Sequence, residues 1–127
     1  MIRRTVLALL TVLAFTPFAT AGEIAPWDTS RFGALQAEGR PILIHVTAPW
    51  CPTCRAQHPI ISDLAGASDN ADLVVFEVDF DSQKDVLRQF NVRQQSTLVA
   101  FNGADERGRA IGITDRAAIT ALVASTR

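Results

Sequence analysis

Cys51 and Cys54 are the two cysteines of the chain, and Pro52 and Thr53 separate them. A thiol pair at this spacing can close a disulfide, bind a metal or exchange electrons with another disulfide. A purely structural bridge is a poor explanation, because a loop with two intervening residues constrains the unfolded chain little. Small domains that depend on disulfides usually carry four or more cysteines. The pair is therefore expected to do chemistry.

Metal and haem attachment are competing explanations of the same pair. A zinc site needs about four ligands, and His58, four residues after Cys54, could add only a third. The sequence has no second cysteine pair, so a metal- or cluster-binding module is the less favoured alternative. Haem attachment needs a histidine directly after the second cysteine, and Arg55 stands there instead. A redox-active dithiol is the favoured interpretation.

The residues around Cys51 predict how such a dithiol would react. Pro52 suits the first position of a helix, because its missing N–H would have no partner there. Unpaired backbone N–H groups and the helix dipole at that end favour a negative charge, which lowers a thiol pKa. Cys51 is thus predicted to attack as a thiolate, and a buried Cys54 to resolve the mixed disulfide. Pro52 and Thr53 are expected to tune the reduction potential.

The pattern of apolar residues predicts an α/β domain with a central mixed sheet of about four strands and helices on both faces. The predicted strands are residues 42–47, 73–80, 97–101 and 110–111. Helices are predicted from Asp28 or Thr29 to about Glu38, from Pro52, from 82 to 90, and from Thr114 or Asp115. Pro59 is expected to kink the helix that follows the cysteines. The predicted inward-facing residues of that helix are Ala56, Ile60, Ile61, Leu64 and Ala65.

With these elements in place, the sequence resembles the thioredoxin superfamily over essentially all of residues 22–127. The resemblance is carried by the strand 42–47, by residues 48–55 (Ala-Pro-Trp-Cys-Pro-Thr-Cys-Arg), by Pro59, and by the stretches 78–81 and 91–92. An aromatic-Cys-x-x-Cys motif between a buried strand and a helix is a specific signal. The resemblance implies a thioredoxin fold and thiol–disulfide exchange with protein thiols and disulfides, without a cofactor.

The stretch from Trp50 to Ala56 is most similar to the motif of the periplasmic thioredoxins of cytochrome c maturation. Those proteins keep the haem-binding cysteines of apocytochromes reduced. The likeness implies a periplasmic reductant that receives its electrons from a membrane donor. An oxidant that inserts disulfides is the alternative, and it would need a strongly stabilised reduced form.

The docking loop departs from the thioredoxin pattern. Thioredoxins place a cis-proline before the threonine of the third strand, facing the cysteines, and Ser96 stands at that position here. A non-proline cis bond costs about 2.5–4 kcal/mol, so the bond before Ser96 is expected to be trans. The residues expected to contact substrate are Trp50, Pro52, Thr53, Gln95, Ser96 and Thr97.

Two further residues differ from their thioredoxin counterparts. The alignment puts His45 at the position of the family's buried aspartate and Glu77 at that of its lysine. Both interrupt apolar runs in neighbouring strands, where a lone charge is costly, so they are predicted to lie within hydrogen-bonding or single-water distance beneath Cys54. Neutral His45 would accept the Cys54 proton, and Glu77 would stabilise the imidazolium. A hydrogen-bonded core histidine without chemistry is the alternative.

The first residues predict export. Arg3 and Arg4 form a basic start, residues 6–18 are nearly all apolar, and Ala19-Thr20-Ala21 is a small-x-small cleavage site. The apolar run is shorter than the roughly 20 residues of a spanning helix. We expect a cleaved signal peptide over 1–21, a thioredoxin-like domain over 22–127, and the periplasm as the destination. An uncleaved membrane anchor is the alternative.

Composition narrows the choice of partners. The 127 residues are 48% hydrophobic and 20% charged, and the formal net charge is −1. These values fit one globular domain, and the scattered Lys and Arg residues give no electrostatic basis for binding nucleic acid. We expect a monomer that holds no metal.

Overall fold

The computed structural model describes residue 14 and residues 21–127, and this part of the chain contains five strands and four α-helices. The strands are β1 (Glu23–Pro26), β2 (Pro41–Thr47), β3 (Val74–Asp79), β4 (Thr97–Asn102) and β5 (Asp105–Ile111). The helices are α1 (Thr29–Ala37), α2 (Pro52–Gly66), α3 (Lys84–Gln89) and α4 (Arg116–Ala124). A 3₁₀ turn, Ser68–Asn70, follows α2.

The strands form one mixed sheet in the order β1-β3-β2-β4-β5. β1 and β2 both pair with β3 in parallel, whereas β4 pairs antiparallel with β2 and β5. The central position of β2 explains its sequence, because a strand covered on both faces reads as a continuous apolar run. Ile44 accordingly lies between Phe76 and Val99 in register and is fully buried.

Helices cover both faces of the sheet. One apolar cluster joins α1 and α3 to the sheet, and a second joins α2 and α4 to the opposite face. The predicted thioredoxin-type α/β fold is thereby confirmed. No helix among the described residues is long and apolar enough to span a bilayer. The predicted signal peptide, residues 1–21, lies outside the described residues except at positions 14 and 21.

The sheet is larger than the four strands predicted. β1 has only four residues, mostly exposed, so its apolar pattern is too short to be recognised. Its pairing with β3 and an ion pair between Glu23 and Arg31 of α1 hold it at the edge. β5 begins at Asp105 instead of Ala110, because most of its side chains face solvent and carry no strand-like pattern. Both corrections concern edge strands, whose position and limits depend more on backbone pairing with the neighbouring strand than on side-chain burial.

Helix α2 begins at Pro52 as predicted and contains Pro59. Its inward stripe differs from the prediction at one place, because Ala56 is exposed and the next residue, Gln57, is fully buried. The stripe starts at Cys54 and continues through Gln57 and Ile61, which is i, i+3, i+7 spacing. A polar side chain is thereby placed against the centre of the sheet.

Candidate active site

The dithiol lies at the start of α2 and is closed as a Cys51–Cys54 disulfide with a Cα–Cα distance of 5.3 Å. Cys51 is the N-cap residue, and the backbone N–H of Cys54 donates to its Sγ over 3.1 Å. Cys51 therefore lies at the helix start as the sequence predicted, and its reactivity as a thiolate in the reduced form stays a prediction. Cys54 is fully buried, and Cys51 is 1% exposed in this disulfide form.

His45 lies in the middle of β2 and is fully buried. Its Nε2 lies 3.0 Å from Oε1 of Gln57, and its Nδ1 has no hydrogen-bond partner among the described residues. Burial is the main cause that lowers the pKa of His45 to about 4, so the imidazole is neutral at physiological pH. A neutral ring carries one N–H and one lone pair, and the neighbouring amide decides which nitrogen has which.

Gln57 fixes the tautomer of His45. Its side-chain amide nitrogen donates to the carbonyl of Ser96 over 3.1 Å and to that of Ile113 over 2.9 Å. Both amide protons are therefore used, and the side-chain oxygen faces His45 as an acceptor. It follows that Nε2 of His45 carries the proton, and that the buried Nδ1 is left with a free lone pair.

Glu77 lies directly beside His45 in the β2–β3 register, on the same face of the sheet. The two side chains share no direct hydrogen bond, and their ligand atoms lie within 4.8 Å of each other, a spacing that falls within the predicted single-water distance. Oε1 of Glu77 instead lies 3.5 Å from Nδ1 of His58, and the nearest donor atoms of His45, His58 and Glu77 lie within 4.8 Å of one another. Glu77 is half-exposed and needs no buried counter-charge, while Gln57 already partners His45. His45, His58 and Glu77 together could hold a metal ion. The roles predicted for His45 and Glu77 stay predictions.

Trp50 stands outside the core, with 53% of its surface exposed. Its indole N–H donates to Oδ2 of Asp81 over 2.8 Å, and its ring lies edge-on to Phe80 at 6.4 Å between centroids. An exposed aromatic ring held in place by a hydrogen bond is suited to contacting a partner protein. Pro52 is also exposed, whereas Thr53 is half-buried in the first turn of α2.

The loop before β4 carries the other predicted docking residues. All peptide bonds of the described residues are trans, as expected for Ser96, which adopts a left-handed φ of 59°. Its N–H donates to the Val46 carbonyl over 2.8 Å, and its own carbonyl accepts from Gly112 N over 3.0 Å as well as from Gln57. Ser96 is thus tied to β2, α2 and the end of β5. Its neighbours are Gln95, which is half-buried, and Thr97, whose hydroxyl donates to the Gln94 carbonyl over 2.7 Å.

Gln57 is the site residue that the sequence did not single out. It bridges the histidine of β2 to the Ser96 loop, and no motif marks it. Its signal was its position three residues after Cys54, because a residue there shares the helix face that the buried cysteine defines.

Comparison with known proteins places this architecture in a family. The family model described as thioredoxin matches residues 25–125. The chain is 29% identical over 107 residues to the bifunctional thioredoxin reductase/thioredoxin of Mycobacterium leprae (strain TN), covering 84% of this chain and 23% of that protein. It is 36% identical over 89 residues to thioredoxin H2-2 of Oryza sativa subsp. japonica, covering 69% of this chain and 64% of that protein. It thus spans less than two thirds of the length of either relative.

A solved structure gives the same result. The crystal structure of Trxlp from Edwardsiella tarda EIB202 is 39% identical and superposes with a TM-score of 0.76, covering 79% of this chain and 97% of that one. The family match and the Cys51–Cys54 disulfide together support thiol–disulfide oxidoreductase activity. On the fold, the helix-capped dithiol and the matching family model, the chain belongs to the thioredoxin family.

Proposed function

We propose that this protein is an exported thiol–disulfide oxidoreductase that reduces protein disulfides. The observation that carries the proposal is the Cys51–Cys54 disulfide at the N-terminus of α2, with the Cys54 N–H directed at the Cys51 sulfur. A dithiol in this setting gives up two electrons and closes to the observed bridge. The likeness of residues 50–56 to the cytochrome c maturation motif supports the periplasm as the compartment and apocytochrome cysteine pairs as a substrate class.

The proposed reaction runs in two exchanges. The Cys51 thiolate attacks one sulfur of the partner's disulfide, which forms a mixed disulfide and releases a partner thiolate. Cys54 loses its proton and attacks Cys51, and the second partner sulfur leaves, so the partner gains two electrons and the Cys51–Cys54 bridge reforms. His45 accepts the Cys54 proton through Nδ1, the ring nitrogen with the free lone pair, and Glu77 stabilises the resulting charge. A membrane electron donor returns the bridge to the dithiol.

The test of catalysis uses residues 22–127 in an insulin-reduction assay with dithiothreitol as donor. We expect turnover in the native protein, none in Cys51→Ser, and accumulation of mixed disulfides with Cys54→Ser, because that variant attacks but does not resolve. Full activity in Cys51→Ser would contradict the redox assignment.

The direction of electron flow is tested by equilibration with glutathione. A reductant is expected near the thioredoxin end of the scale, roughly −270 mV, and a disulfide-inserting oxidant near roughly −120 mV. A potential at the oxidant end would replace the reductant proposal with its alternative.

The role of His45 is tested by separating the two exchanges in stopped-flow experiments. His45→Ala is expected to slow resolution more than formation of the mixed disulfide, most strongly at low pH, where unassisted thiolate is scarcest. Glu77→Gln is expected to show a milder defect of the same kind. Equal slowing of both steps in His45→Ala would identify a packing residue instead.

Export is tested on the full chain, expressed in a Gram-negative host and fractionated. We expect mature protein in the periplasmic fraction, with Gly22 as its first residue by mass spectrometry. Full-length protein retained in the membrane fraction would favour the anchor alternative.

A further inference from the structure

The groove beside β2, β3 and α2 contains three side chains able to bind a metal, of which the proposed dithiol chemistry uses only His45 and Glu77. His45 and His58 are the two histidines of the chain, and both lie here with Glu77, their donor atoms within 4.8 Å of one another. His58 and Glu77 line a pocket of about 360 Å³. Their side chains are 42% and 37% exposed, whereas His45 is fully buried behind them.

The buried histidine is prepared as a ligand. Its Nδ1 is inaccessible to solvent and has no partner in the described part of the chain, which is costly for a polar atom unless something binds it. Because Gln57 holds the proton on Nε2, Nδ1 is the ring nitrogen of His45 whose lone pair can serve as a ligand. Metal-binding histidines characteristically donate their other N–H to an oxygen that fixes the ring, and Gln57 Oε1 is that oxygen here.

The other two donors are placed to complete a site. Nδ1 of His58 and Oε1 of Glu77 are 3.5 Å apart, close to the roughly 3.3 Å between ligand atoms in a tetrahedral zinc site. Both side chains line the pocket and are partly exposed, so rotation about their side-chain bonds can bring their ends towards an ion. Asp79, which shares the groove, is already engaged, because its Oδ1 accepts from the backbone N–H groups of Asp81 and Ser82.

We propose that His45, His58 and Glu77 form a binding site for a divalent transition metal, with Zn²⁺ as the best-matched ion. His45 binds through Nδ1, His58 through a ring nitrogen and Glu77 through a carboxylate oxygen. Two imidazoles and one carboxylate are a ligand set that Zn²⁺ accepts, and the fourth position faces the open groove for water or another small ligand. The site uses neither cysteine, so it is distinct from a cysteine-based metal module. It shares Nδ1 of His45 and the Glu77 carboxylate with the proposed proton transfer from Cys54, so metal binding and that transfer exclude one another.

The experiment titrates Zn²⁺ into EDTA-treated, fully oxidised protein by calorimetry, because the closed Cys51–Cys54 bridge offers no thiolate ligand. Co²⁺ is used in parallel, since its visible absorption reports coordination geometry. We expect one ion per chain and a four-coordinate Co²⁺ spectrum. His58→Ala and Glu77→Gln should each weaken binding about 100-fold or more. Gln57→Met, which removes the oxygen behind His45, should weaken it by about 10–100-fold.

Asp79→Asn is the matched control, because it removes a carboxylate from the same groove without touching the proposed ligands. Binding to this variant should equal native binding, and thermal unfolding of every variant checks that it is folded. The assignment is overturned if oxidised native protein binds no ion below millimolar concentration. It is also overturned if folded His58→Ala and Glu77→Gln bind as native protein does, or if Asp79→Asn weakens binding as much as they do.

Discussion

The two faces of the sheet are built from the same strands but are packed with different kinds of side chain. The face covered by α1 and α3 is filled by aromatic rings, with Phe32 lying 5.0 Å from Trp27 and 5.4 Å from Phe90 between ring centroids. The face covered by α2 and α4 is apolar over much of its area, but near the dithiol it carries His45 and Gln57, both fully buried.

The difference follows from the two-residue period of a strand, which sends Ile44 to one face and His45 to the other. The aromatic face gains stability from buried area and ring packing. The opposite face is less stabilising at one place, because His45 is buried there with a ring nitrogen that has no hydrogen-bond partner within residues 21–127. The comparison indicates that the chemistry of the site is confined to the α2/α4 face, so the aromatic face can be altered without changing that chemistry.

The largest expected loss of stability comes from a substitution on the aromatic face. Phe76 is fully buried, with its centroid 5.6 Å from Trp27 and 6.2 Å from Phe32. Phe76→Ala should lower the free energy of unfolding by about 3–5 kcal/mol, because it removes buried area and leaves a cavity. Chemical denaturation measures this. The exposed Ile111 provides a control, since Ile111→Ala should change stability by less than about 0.5 kcal/mol.

The folded fraction of Phe76→Ala should keep native disulfide-reduction rates within about twofold, which corresponds to about 0.4 kcal/mol in the barrier. A tenfold slower rate in that fraction would show that the two faces are not separable.

The next effect is a loss of stability in acid from the opposite face. The pKa of His45 is about 4 in the folded protein against 6.5 unfolded, so the unfolded chain binds the extra proton first. Stability should be full above about pH 6.5 and fall as pH drops towards 4, by about 3 kcal/mol in all. Of the titratable groups nearby, His58 lowers this pKa further and Glu77 shares the cluster.

Chemical denaturation in EDTA at pH 7.5 and 4.5 tests this, with His45→Leu as the comparison. The native protein should lose about 2–3 kcal/mol more than the variant between the two values, since only it has the buried imidazole to protonate. Parallel losses in the two proteins would mean that His45 does not titrate as described.

A smaller effect is expected in the loop that Gln57 ties to this face. Ser96→Pro removes an N–H that donates to Val46 and imposes a φ near −65° where the chain has +59°. It should destabilise the protein by about 2 kcal/mol or more. Ser96→Gly should stabilise it by up to about 1 kcal/mol, because glycine adopts a positive φ without strain.

Thermal unfolding of Ser96→Pro and Ser96→Gly measures these two stability changes. A proline variant as stable as the native protein would show that the loop readily adopts another conformation, which would reopen a thioredoxin-like docking geometry.

The smallest effect is expected at the exposed Trp50. Trp50→Phe keeps a ring but loses the N–H that donates to Asp81, so the ring is no longer held for docking. The KM for a protein disulfide should rise about fivefold, equivalent to about 1 kcal/mol, with kcat unchanged. Steady-state kinetics measure this, and Asp81→Asn, which weakens the same hydrogen bond, should give part of the rise. A fall in kcat with unchanged KM would assign Trp50 to the chemical step instead.

Local features of the fold were predictable. Asp28 caps α1 and Gly39, with a positive φ, follows its end, because cap and stop signals act within one turn. The helix start at Pro52 and the buried Cys54 followed from equally local rules. Edge strand β1 escaped prediction, because its position depends on pairing with β3, about 50 residues away in sequence.

The sequence by itself determined that this protein places a dithiol at the N-terminus of a helix beside a buried strand, because adjacent residues and short-range geometry suffice for that. Only the tertiary structure decided which ring nitrogen of His45 carries the proton and which one keeps a free lone pair. The orientation of the Gln57 amide is set by the carbonyls of Ser96 and Ile113, which lie 39 and 56 positions further along the chain. That orientation puts the proton on Nε2 and leaves Nδ1 free, and no local pattern encodes it, since the contacts form only when α2, β2 and the two loops pack together.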